Sequence, residues 1–439
     1  MSHDQESRPL FGFYGDDFTG PTDVLEAFGT AGIPAVLFLK PPNARLQRRY
    51  AGCLAVGLAG ESRSRSPEWM RRELPALFEH MASFGAPIFQ YKVCSTFDSA
   101  PETGSIGCAI EIGRQVFGSR IVPVIPAAPR LGRFVAFSNL FANQDGKTYR
   151  IDRHPTMRHH PVTPMTESDL RMHLAQQTSL RIFALDLPGL RAGDATWERL
   201  LAARPDIVLF DGVEEETLVV SARRVWENRT ALPFVVAASG FTYGLIEHWR
   251  RTGLISAAEA PPQTPATGRI LVLSGSCSPA TELDLRHALA NGFAGVRVDA
   301  ARLLDATQTE SYTARLIAEA AAHLSAGRSV ALYSALGPQD CSPNVDCAAL
   351  ARACGRIAKE LIARTGVRRP VVAGGDTASH AVRELDLDAL SFAARAATGA
   401  PLCRAQSPNA AIDGLEFVLK GGQVGAETFF LDMLQGTES

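Results

Sequence analysis

No stretch of the chain is apolar for long enough to cross a bilayer. The longest runs, such as Ile33 to Leu39 and Ile270 to Leu273, fall far short of the ~20 residues a membrane helix needs. A charge excess is missing too: the net charge is -2, acidic and basic residues are interspersed, and no basic block would anchor nucleic acid or an anionic membrane. A small anionic ligand would therefore be held by a local cluster of donors. Paired cysteines are absent. The eight (Cys53, Cys94, Cys108, Cys277, Cys341, Cys347, Cys354, Cys403) are scattered with no CxxC, and read as reduced thiols, not a disulfide frame or a zinc site. Met1 to Pro9 is polar and lacks the apolar core of a signal peptide, so cytoplasm is the expected compartment. Neither a Walker A loop (GxxxxGKS/T) nor a GxGxxG fingerprint opening a βαβ unit occurs, which sets aside the ordinary P-loop and Rossmann readings.

What is present fits a soluble globular protein: 46% hydrophobic and 21% charged residues in 439 positions. That length exceeds one ordinary core and predicts two domains of about 150–250 residues. Short β-branched or aromatic runs alternate with helix-period segments, which argues for parallel sheets covered by helices. Early strand candidates are Leu10–Tyr14, Ala35–Phe38, Cys53–Val56, Ile88–Tyr91 and Ile121–Val124, with amphipathic stretches Pro67–Ala82 and Ile106–Val116 between them. Ile182–Leu185, Ile207–Phe210 and the helix-like Glu215–Trp226 extend this series. Ala258 to Gly268 (AEAPPQTPATG) reads as a linker. Beyond it a second series runs from the strand Arg269–Leu273 through the helix Cys347–Thr365 to the strands Val371–Ala373 and Leu415–Leu419. The expected architecture is thus α/β, with two doubly wound domains, mainly parallel sheets and a cleft between them. Residues 1–257 and 269–439 form the domains, and 258–268 the linker.

Ligands of open α/β sheets bind where strands hand over to loops at their carboxyl ends. Gly15-Asp16-Asp17-Phe18-Thr19-Gly20-Pro21-Thr22-Asp23 follows the first strand, and Asp16, Asp17, Thr19 and Asp23 suit a polyol and the removal of a hydroxyl proton. A helix N-cap explains one such residue, but four in nine positions is excessive. At the next strand end, Lys92 suits a substrate carboxylate, and Ser95, Thr96 and Asp98 suit hydroxyls. A solvated turn before a helix capped near Ser105 is the plainer reading, and Cys94 is read as packing, not as a nucleophile. The loop Asp152-Arg153-His154-Pro155 to Arg158-His159-His160-Pro161 lacks metal-binding spacing and fits anion recognition, or simply a histidine-rich loop. In the second half, Ser274-Gly275-Ser276-Cys277-Ser278, Gly374-Gly375-Asp376-Thr377 and Lys420-Gly421-Gly422-Gln423-Val424-Gly425 all end predicted strands. One glycine turn is often only a tight turn, whereas three in one domain favour a phosphate-cradling nucleotide site.

These segments, with Pro161-Val162-Thr163-Pro164-Met165-Thr166-Glu167-Ser168-Asp169-Leu170 and Leu419-Lys420-Gly421-Gly422, resemble the four-carbon acid sugar kinase family over nearly the full length. The resemblance implies an N-terminal sugar-acid-binding lobe, a C-terminal ATP-binding lobe, and transfer from ATP to a terminal hydroxyl of a tetronate or 3-oxo-tetronate. It implies ATP contacts from Ser276, Ser278, Gly374, Gly375, Asp376, Thr377 and Gly422. Where typical members carry a Lys-Ile-Asp-Ser-Thr-Leu-Arg-Gly-Asn segment, this chain has Lys92-Val93-Cys94-Ser95-Thr96-Phe97-Asp98-Ser99. The Asp has become Cys94 and the Arg is missing, with Ser99 nearby, and Lys or Ser cannot replace the bidentate geometry of Arg. This version resembles the branch acting on 3-oxo-isoapionate, a branched five-carbon oxo-acid. Asp376 for a Glu and Gly421 for a Ser are milder changes.

The expected chemistry is phosphoryl transfer with Mg²⁺ bridging the phosphates. Asp17 or Asp16 would accept the proton of the attacking hydroxyl, and Lys92 and Arg153 would hold the substrate carboxylate. Closure of the cleft would exclude water. The expected partners are ATP and a small acid sugar, without nucleic acid or membrane; a homodimer is allowed. The rival readings are a metal-dependent aldolase or hydrolase using the Asp16/Asp17 pair, and a non-catalytic sugar-acid sensor.

Overall fold

The computed structural model describes residues 8–160, 162–256, 260–340, 345–422 and 424–437. Pro161, Cys341, Gln423 and the linker residues Ala258 and Glu259 therefore lie outside the described residues, as does the side chain of Asp376. Its strands are β1 (Phe11–Gly15), β2 (Ala35–Phe38), β3 (Ala55–Ala59), β4 (Phe89–Lys92), β5 (Val122–Ile125), β6 (Arg133–Ala136), β7 (Asn139–Gln144), β8 (Lys147–Arg150) and β9 (Ile182–Leu185). They continue with β10 (Ile207–Phe210), β11 (Phe234–Ala237), β12 (Leu271–Ser274), β13 (Ala294–Arg297), β14 (Val330–Tyr333), β15 (Pro370–Ala373), β16 (Ala389–Ala397), β17 (Ala400–Gln406) and β18 (Glu416–Lys420). Two compact units result. One comprises residues Met1–Ala35 and Pro41–Glu259, the other Val36–Lys40 and Ala260–Ser439.

The first unit has a parallel sheet in the order β3-β1-β4-β11-β5-β10-β9. Phe13 and Val56 are typical of its strands, buried apolar residues that leave no room for solvent on either face. Its helices read from their sequences. In Pro67–Ala82, Ser66 Oγ accepts the Trp69 N–H and Pro67 opens the first turn, while Met70, Leu74, Phe78 and Met81 recur at helical spacing and are buried. Phe78 packs against Tyr14, Phe89, Tyr91, Phe117 and Phe234. A small antiparallel sheet, β6-β7-β8, is a second layer that periodicity did not predict; its strands are short and only half-buried.

The second unit is mixed. β13-β14-β12-β15-β18 run parallel, then β17, β16 and β2 add antiparallel. Its core gathers Ile270, Val272, Ala331, Val371, Leu402, Val418, Phe429 and Met433. β2 had been read as one of the strands of the first half. It is a strand, as expected, and it pairs antiparallel with β16 through Leu37 and Phe38, while Leu39 N–H donates to Asp388 O at 2.9 Å. Lys40 then pairs with Asp388 at 2.6 Å. Among the described residues no helix is long and apolar enough to cross a membrane.

Candidate active site

In the first unit the chain leaves β1 toward β3 on one side and later lays β4 on the other, so β1 is a point where strand order reverses. The crevice beyond such a strand is where an open parallel sheet takes its ligand. Asp16 and Asp17 stand there, both buried. Asp17 Oδ1 accepts the Gly20 N–H at 2.7 Å, and Oδ2 accepts from Thr19 Oγ1 at 2.7 Å and from Arg63 Nη1 at 2.8 Å. Asp17 thus takes up the first N–H of the helix Gly20–Thr30, ahead of its N-cap Thr19. A Cβ at Gly20 would lie 2.7 Å from Asp17 Oδ1 and 3.1 Å from Lys92 Nζ, so any larger residue there would push these side chains aside.

Asp16 is held differently. Arg63 closes a two-pronged clamp on it, Nη2 to Oδ1 at 2.6 Å and Nε to Oδ2 at 3.1 Å, and the Arg63 N–H donates to Asp16 O at 2.9 Å. Burial, opposed by Arg63 and reinforced by the charge of Asp17, pushes the Asp16 carboxyl up to about 6. Burial disfavours the Arg63 cation, but the two carboxylates outweigh this and hold its pKa well above the ordinary value. Ser62, the residue before, shares a 2.8 Å hydrogen bond with Tyr91 OH, which fixes the turn carrying Arg63. Sequence reading missed Arg63. Its signal was Gly60-Glu61-Ser62-Arg63, a polar run directly after β3.

The end of β4 supplies the next groups. Lys92 is buried, and Nζ donates to Val93 O at 2.9 Å. Burial pushes the carboxyl of Asp23 up while Lys92 and the Ser239 hydroxyl pull it down, and Asp23 Oδ1 has no hydrogen-bond partner among the described residues. Ser95 is buried beside Thr96, whose hydroxyl meets Asp98 Oδ1 in a short hydrogen bond and lies 2.9 Å from Cys94 Sγ. Thr163 Oγ1 reaches Asp98 Oδ2 at 3.4 Å, and His160 Nδ1 accepts the Thr163 N–H at 3.1 Å. Burial opposes ionisation of Asp98, yet Arg63 and the Thr96 hydroxyl prevail and hold it below the usual carboxylate range. Phe97 adopts φ 57°, a left-handed conformation uncommon for a bulky residue, within this turn. Burial also pushes the Cys94 thiol up, away from a reactive thiolate. Behind the turn, Ser99 Oγ lies 2.9 Å from Nε2 of His173, a buried imidazole pushed down to about 4 by desolvation.

The structure therefore brings together Asp16, Asp17, Thr19, Asp23, Lys92, Thr96 and Asp98, and adds Arg63. Arg153 is not among them. It ends the single turn Ile151–Arg153 on an exposed face, and among the described residues no hydrogen bond or ion pair joins it to the cluster. His154 serves its own loop, Nδ1 accepting the N–H groups of Thr156 and Met157.

In the second unit, strand order reverses at β12, between β14 and β15. The turn Ser274–Ser278 leaves β12, and three turns meet there. Ser278 Oγ donates to Gly422 O at 2.6 Å, Thr281 Oγ1 to the same carbonyl at 3.2 Å, and the Gly374 N–H to Lys420 O at 2.8 Å. The Ser278 N–H donates to Ser276 Oγ at 3.2 Å. Gly374 has φ 109°, and a Cβ there would stand 3.1 Å from Thr377 Oγ1 and 3.2 Å from Ser276 Cβ. Gly375 opens the helix Gly375–Ala381, and Thr377 is buried. Such a cluster of backbone amides and hydroxyls can surround a phosphate.

Two family models cover the chain. A sugar-binding N-terminal domain matches residues 11–245, and a nucleotide-binding C-terminal domain matches residues 271–430. The chain is 45% identical to a 3-oxo-isoapionate kinase of Paraburkholderia graminis, over 96% of this chain and 93% of that protein. It is 31% identical to a 3-oxo-tetronate kinase of Cupriavidus necator, over 98% and 97%. A crystal structure of a Salmonella typhimurium LT2 protein aligns with TM-score 0.76 at 26% identity, covering 96% of this chain and 98% of that one. One from Haemophilus influenzae shares the fold at TM-score 0.69 and 22% identity, over 96% and 98%.

Proposed function

The chain belongs to the four-carbon acid sugar kinase family, and from that premise we propose that it is an ATP-dependent kinase acting on a terminal hydroxyl of 3-oxo-isoapionate. Tetronates and 3-oxo-tetronates are the next substrates in order. The observation that carries the reading is the Asp16–Arg63–Asp17 clamp beyond β1: two buried carboxylates and a half-buried guanidinium where a parallel sheet takes its ligand.

In this reading Asp16 is the base. Asp17 accepts from Thr19, Gly20 and Arg63; Asp16 accepts from the Arg63 side chain, and its carboxyl, near 6, sits close to a working pH. The substrate hydroxyl gives its proton to Asp16 as its oxygen bonds to the γ-phosphorus. The bond from that phosphorus to the bridging oxygen breaks, and ADP leaves. Arg63 and Lys92 hold the substrate carboxylate, Arg63 taking the part first given to Arg153. Thr19, Asp23, Ser95, Thr96 and Asp98 hold hydroxyls, and the free Asp23 Oδ1 is an acceptor ready for one. Ser276, Ser278, Gly374, Gly375, Thr377 and Gly422 hold the nucleotide phosphates, with Asp376 alongside. The donor set of these turns suits phosphate oxygens, and Mg²⁺, brought in with the nucleotide, would supply charge neutralisation there. An ATP-consuming enzyme of this kind works in the cytoplasm.

A coupled ADP-release assay against tetronates, 3-oxo-tetronates and branched apionate-derived acids tests the proposal. Turnover is expected to be highest with 3-oxo-isoapionate. No ADP with any sugar acid would instead favour the aldolase or hydrolase reading of the Asp pair.

A further inference from the structure

Beneath the three turns of the second unit lies an ion pair that the reaction does not call for. Lys420 Nζ stands 2.7 Å from Asp284 Oδ2, and both side chains are shut off from water, at 0% and 1% exposure. Burying two opposite charges costs several kcal/mol each, and an apolar pair of similar volume usually serves stability as well or better. Stability is thus a poor reason for this pair, and its surroundings give another.

Lys420 is the last residue of β18, and it meets all three turns. Its main-chain O accepts the Gly374 N–H at 2.8 Å, which ties in the second turn. Its chain neighbours Gly421 and Gly422 are the third turn itself. Its Nζ reaches Asp284 and, at 3.5 Å, Thr281 Oγ1; both lie on the helix Pro279–Ala290, which starts from the first turn at Ser278. Thr281 and Ser278 in turn donate to Gly422 O. The rings of Phe429 and Phe430 stand 5.6 and 5.9 Å from Nζ and close the pocket around it. Asp284 has no other polar partner among the described residues, so its direction depends on Lys420.

We propose that the Lys420–Asp284 pair is the positioning device of the nucleotide site: it sets the spacing between the helix carrying Ser278 and the Gly421-Gly422 turn. This rests on the reading of those turns as the ATP site. Neither residue needs to touch ATP.

The test compares ADP binding by calorimetry, the KM values for ATP and for the acceptor, and the melting temperature. Single variants D284N and K420Q leave a polar or charged group buried alone and are expected to lose stability. The double variant D284L/K420M removes both charges and is expected to melt within about 5 °C of wild type. It should nevertheless bind ADP about tenfold or more weakly, with a matching rise in KM for ATP and an acceptor KM within about twofold of wild type. K420R, which keeps the charge but not the fit, should fall between and carries the same comparison if the double variant does not fold. Wild-type ADP affinity in a folded double variant, or an acceptor KM that rises in step with that for ATP, overturns the proposal. A wild-type chain that takes up no ADP overturns the nucleotide reading first, and the proposal with it.

Discussion

In the first unit the groups at the sheet's carboxyl edge are side-chain charges: Asp16, Asp17, Asp23, Lys92, Asp98 and Arg63, all close to one another and mostly buried. In the second, the hydrogen bonds that join the turns are made by backbone amides, carbonyls and hydroxyls, with one buried ion pair below them. Both sites use the same topological device, a reversal of strand order, and furnish it in opposite ways. On the proposed reading, the first recognises by charge and shifts a proton, and the second recognises by shape and must keep out an extra atom. Substitutions should therefore act on the first site by changing charge and on the second by adding volume.

The largest expected effect is on the proton. D16N should lower kcat by about three orders of magnitude, the middle of the range for general-base catalysis, while ADP affinity by calorimetry stays unchanged. Equal losses in D16N and D17N would break the distinction drawn between base and cap. Next comes R63A, which leaves Asp16 and Asp17 buried without their counter-charge. It should raise the acceptor KM about 100-fold and cost about 3 kcal/mol in chemical denaturation. R63K should recover little, because an ammonium cannot hold both oxygens of Asp16.

The pH dependence follows with a smaller span. The Asp16 carboxyl is raised to about 6, so its base form is present above that pH and is lost as pH falls through it. A profile of kcat/KM should show an acid limb near 6 with about a tenfold fall per unit below it, and a limb near 4 would place the proton on another group. The smallest effects belong to the second unit. G374A puts a methyl at φ 109°, a strain of about 1–3 kcal/mol, and should raise the KM for ATP about tenfold while leaving the acceptor KM alone. An acceptor KM that moved equally would erase the division of labour.

Much of this was open to reading because a doubly wound sheet puts chemistry at strand ends, and strand ends can be found from apolar runs. Asp16 and Gly374 follow such strands directly, Lys92 ends one, and Ser276 comes two residues after one. Arg63 was hidden because β3 was expected at Cys53–Val56, whereas it runs Ala55–Ala59. The glycine at position 57 blurs the pattern there. It is needed because a Cβ would fall 2.1 Å from the ring of Phe13 on the neighbouring strand. With the strand ended early, Arg63 looked like any surface residue beside Arg65. The helix-cap reading of the first turn was also partly right: Asp17 takes up the first N–H of the helix, while Asp16 is held by Arg63. The pairing of β2 with β16 was beyond reach for a different reason. Its partner lies some 350 residues on, and nothing local marks a strand that pairs so far away.

That pairing alters what a cut in the chain would do. Cleavage between the two family domains would still leave Val36–Lys40 seated against β16, held by the backbone bond of Leu39 and the ion pair of Lys40. A polypeptide starting after the cut and made alone would lack this strand and present the flank of β16 as an open template for aggregation. Its counterpart would carry a strand without its natural seat. The two pieces are better suited to fragment complementation than to separate production.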